Sequence, residues 1–291
     1  MEVWSVVIPV LRVIFYSASL GTIGTILFLL HFKPYLSEKN FAYCSNVIKH
    51  SSLLGMVASA ASFFAIAGNM GGEFKSVFDG IMLKLAFETS SGLSAIAALV
   101  GFTSILFWNQ LKRVEQKFFA LLGLGAVFLS FSITGHSTLD GFFTKTLLLV
   151  HLVGVSFWLG SFLPLRHMCQ SKDKNNLPIV AKRFGVFATF YVGIMALAGF
   201  IFAYILLGGF SPLVTTSYGN TLLIKFVLVT LLMLLGALNK FKLVPMLSSN
   251  QSLGAGKLQQ SINLEIILAF LVLTATSLLT TSLNLPINTQ T

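Results

Sequence analysis

The sequence predicts an all-α fold, a polytopic bundle of about eight transmembrane helices, and three observations lead there. Hydrophobic residues make up 55% of the chain and charged residues only 10%, with a mean hydropathy of +0.87. That mixture is too apolar for a soluble domain to cover its own core. The apolar runs are continuous and do not alternate, which favours helices over barrel strands. Eight of them are long enough to cross about 30 Å of hydrocarbon, which takes roughly 20 helical residues. Residues 1–291 therefore read as a single integral membrane domain.

The first span, Val10 to Phe32, follows a start without a basic n-region. It is expected to act as an uncleaved signal. Span two runs from Val47 to Asn69 and span three from Thr89 to Trp108. Between them Val77 to Phe87 is too short to cross. It carries Phe78, Ile81, Met82 and Leu85 at helical spacing and is expected to lie as an amphipathic helix on the outer surface. Spans four to eight cover Phe118 to Gly135, Phe143 to Leu165, Phe184 to Gly208, Asn220 to Asn239 and Ile262 to Ser282.

Charge sets the orientation. The connections after spans one, three, five and seven, with their flanks, hold fourteen of the nineteen basic residues, among them Lys33, Lys112, Arg113, Arg166, Arg183 and Lys240. Arg12, Lys75, Lys84 and Lys145 fall on the other face, and Lys225 lies inside span seven. Basic residues stay cytoplasmic, so both termini are expected outside. The net charge of +10 is then a product of topology and implies no nucleic-acid partner. Cys44 and Cys169 fall in connections assigned to the cytoplasm, where thiols stay reduced.

A short repeat is visible. Thr89-Ser90-Ser91-Gly92 opens span three and Thr216-Ser217-Tyr218-Gly219 opens span seven, both entering from outside. A parallel four-plus-four duplication is one reading. The preference of helix starts for small polar residues is the other.

Candidate chemistry centres on two histidines around one outer turn. His136 follows span four, and His151 lies eight residues into span five, about 12 Å deep at 1.5 Å per residue. His151, Gly154 and Trp158 share one helical face. Imidazoles are costly in hydrocarbon, so two of them at one turn point to a ligand site. Taken singly, His136 as a helix cap and His151 as a hydrogen-bonding partner of a neighbouring helix remain alternatives.

Gly135-His136, Leu149-Val150-His151 and Trp158-Leu159-Gly160 are followed in order by Arg183-Phe184, the run Thr216 to Lys225, and Gly236-Ala237-Leu238-Asn239-Lys240 with Leu243 and Pro245. Glu265 opens span eight. This pattern, over residues 135–282, resembles the copper resistance protein D family of bacterial inner-membrane copper transport proteins. The resemblance implies copper movement across the cytoplasmic membrane, with import the usual direction. Some relatives fuse an outer copper-binding domain to the bundle; here a separate periplasmic or extracellular copper carrier is the expected partner, beside the lipid bilayer.

Donor chemistry then ranks the residues. His136 and His151 are the first candidate copper ligands, with Asp140, Met70, Met82 and Glu88 as outer helpers. Imidazole takes Cu(II) or Cu(I) and thioether favours Cu(I), so ligand type can change with depth. Interfacial packing is the other role for the two methionines, and Met195 and Met233 read as packing. His167-Met168-Cys169, just after span five, is a candidate inner exit in a cytoplasmic loop. His31 and His50 are expected to join the basic inner interface. Trp158, Tyr218, Lys225 and Glu265 are supports of the path. Lys225 is expected to snorkel or to pair with Glu88 or Asp140, and Glu265 to pair with a charge of the Arg183 kind.

No phosphate loop, HExxH, paired-cysteine motif or nucleophile elbow is present, so the expectation is not an enzyme. A b-type haem electron-transfer protein is the alternative from another class, using His136 with His151 or His31 with His50 as axial ligands. A copper sensor or assembly factor that binds without flux is a third reading.

Overall fold

The computed structural model describes residues 2–108, 113–134 and 141–283, and among these every regular element is helical. The elements are α1 Glu2–Phe32, α2 Glu38–Gly71, α3 Gly80–Glu88, α4 Ser90–Trp108, α5 Arg113–Ile133, α6 Gly141–Gly160, α7 Phe162–Gln170, α8 Leu177–Leu207, α9 Pro212–Thr215, α10 Ser217–Leu238, α11 Val244–Ser249 and α12 Gln251–Thr281. Short 3-10 turns follow α1 and α2, and a π-turn, Asn239–Leu243, joins α10 to α11.

Seven described helical segments are long and apolar enough to cross a membrane. The eighth expected span corresponds to α5, whose apolar stretch, Phe118–Ile133, is shorter because Arg113, Glu115 and Lys117 occupy its first turns. Several helices outrun the expected spans; α2 and α12, for example, have 34 and 31 residues. Their polar ends continue the helix into regions expected to be loops. Cys44 and Cys169 lie on α2 and α7 as buried free thiols, not in loops.

The amphipathic element between spans two and three is α3. Asp79 caps it, accepting hydrogen bonds from the Ile81 and Met82 amides at 2.9 and 3.0 Å. Phe74, Phe78 and Ile81 are left largely exposed there, a surface suited to lipid.

The matched tetrapeptides make the same cap. Thr89 accepts from the Gly92 amide at 2.9 Å and Thr216 from the Gly219 amide at 3.0 Å. In both, a Cβ on the glycine would strike a carbonyl of the preceding turn, of Ala86 in one and of Pro212 and Leu213 in the other. Glycine at the third helical position is therefore required by the fold-back that precedes each helix.

The chain divides into two compact units. Unit 1 comprises Met1–Ser19, Lys49–Leu149 and Ser277–Asn284. Its α4 and α5 cross closely at Gly101 and Gly123, where a Cβ on either would lie 2.8 or 2.9 Å from the other's carbonyl. Ser94 donates to the Ser130 carbonyl at 2.7 Å across the same crossing. Small residues that let backbones approach replace the hydrophobic drive that lipid removes. Near the helix ends, Ser277 of α12 donates to the Pro9 carbonyl of α1 at 2.7 Å, so the chain enters and leaves this unit side by side.

Unit 2 comprises Leu20–Ile48, Val150–Thr276 and Leu285–Thr291. Gly24 of α1 and Gly160 of α6 form its tightest crossing, backbone against backbone. Below them Phe28, Phe32, Phe157, Phe184, Phe187 and Tyr191 build an aromatic core, and His31 lies inside it rather than at a basic interface. Its Nδ1–H donates to the Leu27 carbonyl at 2.8 Å and its Nε2 accepts from the Tyr191 hydroxyl at 3.5 Å.

Candidate metal site on α6

His151 of α6 is partly buried and its orientation is fixed from behind. Its Nδ1 lies 2.9 Å from the Met195 carbonyl of α8. A carbonyl only accepts, so Nδ1 carries the proton and Nε2 keeps its lone pair. A ring N–H held by a backbone carbonyl is the usual support of a metal-ligating histidine, because it fixes tautomer and direction together. The bond exists because two glycines bring α6 and α8 close. A Cβ on Gly154 would lie 2.6 Å from the Met195 Cβ, and one on Gly199 would lie 2.8 Å from His151 Nδ1.

Met195 thus contributes its carbonyl as well as the packing expected of it, and its side chain is 4% exposed. Neither it nor Gly199 carries a local signal that ties it to His151. The partners are 44 residues apart in sequence.

Lys225 of α10 is partly buried within electrostatic reach of His151. It makes no ion pair with Glu88 or any other described residue, and Glu88 is exposed. An ammonium there would oppose a second positive charge at the imidazole. Tyr218, about two helical turns earlier, is 4% exposed.

Trp158 continues the His151–Gly154 face and is 5% exposed. It lines a cavity of about 310 Å³ together with Glu265, Asn239 and Gly236. Glu265 is 1% exposed, and the Asn239 amide donates to its Oε2 at 2.8 Å. The expected charge partner is absent from it: Arg183 is exposed and lies 4.7 Å over the Tyr35 ring. A neutral amide, not a guanidinium, holds the carboxyl.

Met70 is 44% exposed and lines a separate unit 1 cavity of about 260 Å³ with Arg12, Asn69 and Thr89. Met82 packs near Gly71, outside that lining. His167, Met168 and Cys169 are helical, on α7, rather than in a loop. Successive helical residues face about 100° apart, and here Met168 and Cys169 are 3% exposed while His167 stacks on Tyr43 at 3.8 Å. They do not converge on one point. His136 and Asp140 lie outside the described residues, and among the described residues no three His, Cys, Asp or Glu side chains cluster as a metal cage.

Residues 178–279 match the family profile described as copper resistance protein D. Residues 1–146 match the copper resistance protein D-like N-terminal domain, which extends the likeness well before Gly135, where the quoted motifs begin. The inner membrane protein YebZ of Escherichia coli is 26% identical over 80% of this chain and 82% of its own length. The copper transport protein CutJ of Bacillus subtilis is 25% identical over 78% of this chain, which spans only 45% of CutJ. No solved structure matches. With its apolar helices and both profiles in order along it, this multi-pass membrane protein belongs to the copper resistance protein D family.

Proposed function

We propose that this chain carries copper inward across the bacterial cytoplasmic membrane, with His151 as the first intramembrane ligand. The observation that supports it most is the Nδ1–H bond from His151 to the Met195 carbonyl, which leaves Nε2 as a directed donor. One imidazole is an incomplete copper site. His136 and Asp140, immediately before α6, are the proposed completing ligands at the outer end. Met70, Met82 and Glu88 are proposed outer helpers that pass copper toward it, fed by a separate carrier. Trp158 and Tyr218 bound the path, and Lys225 tunes it. Met168 and Cys169, buried in α7, and His167 against Tyr43 are the weakest members of the proposal, an inner exit that requires α7 to move.

Driving force need not come from ATP. An inside-negative potential contributes about 2.3 kcal/mol per charge per 100 mV, enough to favour cation entry. Copper uptake into proteoliposomes tests the proposal. Uptake falls at least tenfold in folded His151→Ala and His136→Ala variants on this reading; unchanged uptake in both overturns it. The absence of a stoichiometric Soret band in copper-competent protein separates it from the haem reading, and flux separates it from a sensor.

A further inference from the structure

The cavity of unit 2 holds an oxygen-donor site that the copper reading does not use. Its wall is mainly apolar, contributed by Trp158, Phe162, Val192, Gly236 and Ile262. Four polar side chains line it: Glu265 from α12, Asn239 from the start of the π-turn, and the Lys240–Thr189 pair, which is satisfied within itself. The Asn239 amide nitrogen is spent on Glu265 Oε2. Two oxygens are left over. Asn239 Oδ1 is buried and has no hydrogen-bond partner among the described residues. Glu265 Oε1 accepts no hydrogen bond from a described residue either.

Charge is uncompensated there too. No ion pair among the described residues reaches Glu265. Lys240, the one cationic side chain of the lining, gives its Nζ to the Thr189 hydroxyl at 2.6 Å. Arg166 of neighbouring α7 is bound to Asn263 Oδ1 at 2.6 Å, while Lys182 and Arg183 of α8 are exposed. A carboxyl inside a membrane-spanning helix with one neutral donor is held either as the protonated acid or beside a bound cation, and intramembrane ionisable groups mark ion paths for that reason. The π-turn adds a second sign. Such distortions of a helix concentrate at functional sites, and Asn239 is the first residue of this one.

We propose that Glu265 and Asn239 bind a second cation, a hard monovalent ion, Na⁺ or H⁺, whose occupancy is linked to copper passage. Carboxylate and carboxamide oxygens suit a hard ion, whereas Cu(I) prefers sulfur and imidazole. The lining contains one thioether, Met233, and no imidazole. The linkage rests on the transport reading; the cation site itself does not.

Trp158 lies at this cavity and reports on it. Its Nε1 and Glu265 Oε1 fall 3.9 and 3.8 Å from the position of a Cβ on Gly236. In full-length protein carrying Trp4→Phe and Trp108→Phe, fluorescence is titrated with NaCl against choline chloride at fixed pH, and separately with pH. A saturable Na⁺ response, abolished in Glu265→Gln and weakened at least tenfold in Asn239→Ala, assigns sodium. A response to pH alone that Glu265→Gln abolishes assigns the proton. No response to either, or one unchanged in both variants, overturns the site; Asn239→Ala alone decides it if Glu265→Gln does not fold. In proteoliposomes an imposed Na⁺ or pH gradient changes copper flux severalfold in the parent and not in Glu265→Gln. Flux blocked by His151→Ala yet indifferent to both gradients overturns the linkage and leaves transport standing. No copper flux at all removes the transport reading, while the fluorescence still decides the cation site.

Discussion

Gly199→Ala is the sharpest perturbation of the α6 site, because it displaces the proposed ligand from its support while leaving the imidazole itself in the chain. The new Cβ would sit 2.8 Å from His151 Nδ1 and 2.9 Å from Cε1. Ordinary contact needs about 3.4 Å or more, so the ring must yield by roughly half an ångström. Moving it strains the 2.9 Å bond to the Met195 carbonyl, a loss of about 0.5–1.5 kcal/mol. Loss of such a support typically costs 10–100-fold in metal affinity, or about 1.4–2.7 kcal/mol. The assay is competition with a chromophoric Cu(I) chelator on purified protein in detergent. Gly256→Ala, where a Cβ meets nothing within 4 Å, controls for the gain in helix propensity. A folded Gly199→Ala protein with parental affinity refutes the claim that the Met195 carbonyl orients a metal ligand.

Replacing the ammonium beside that imidazole acts in the opposite direction. Lys225→Met should raise copper affinity severalfold, by about 1 kcal/mol, in the same competition assay; weaker binding would make Lys225 a contributor instead. Gly24→Val drives a side chain into the Ser156 carbonyl and the Gly160 backbone, so it should cost roughly 3 kcal/mol or more, read as a lower thermal midpoint in detergent. An unchanged midpoint would deny the α1–α6 crossing. Ser94→Ala removes one interhelical hydrogen bond and should cost only about 0.6 kcal/mol. His167→Ala should disturb the Tyr43 stack yet change copper uptake less than twofold if α7 stays closed; a tenfold loss would make the inner exit real.

The helices were legible because lipid demands continuous apolar runs, and the outer amphipathic segment because Phe78, Ile81 and Leu85 keep helical spacing without the length to cross. The α6 face was legible for a similar reason: His151, Gly154 and Trp158 repeat at three and four. What surrounds that face was not. His151 meets Met195 across 44 residues and Asn239 meets Glu265 across 26, and periodicity says which side of a helix is buried without naming its neighbour. The placing of His31 failed for a related reason. A histidine at the end of an apolar span looks interfacial, but α1 continues into a core of phenyl rings. Cys44 and Cys169 were misplaced in loops because polar helix ends and loops share a composition. The two threonine caps show the converse: the tetrapeptides read as a repeat in the sequence, and their physical meaning is a fold-back that tolerates only glycine.

X-ray absorption at the copper edge of protein loaded with one equivalent tests the central claim most directly. Outer-shell scattering of imidazole is expected around the metal, reduced by one ring in His151→Ala with the helical fold retained. A copper shell of sulfur alone, or an imidazole signal that His151→Ala leaves intact, would contradict it.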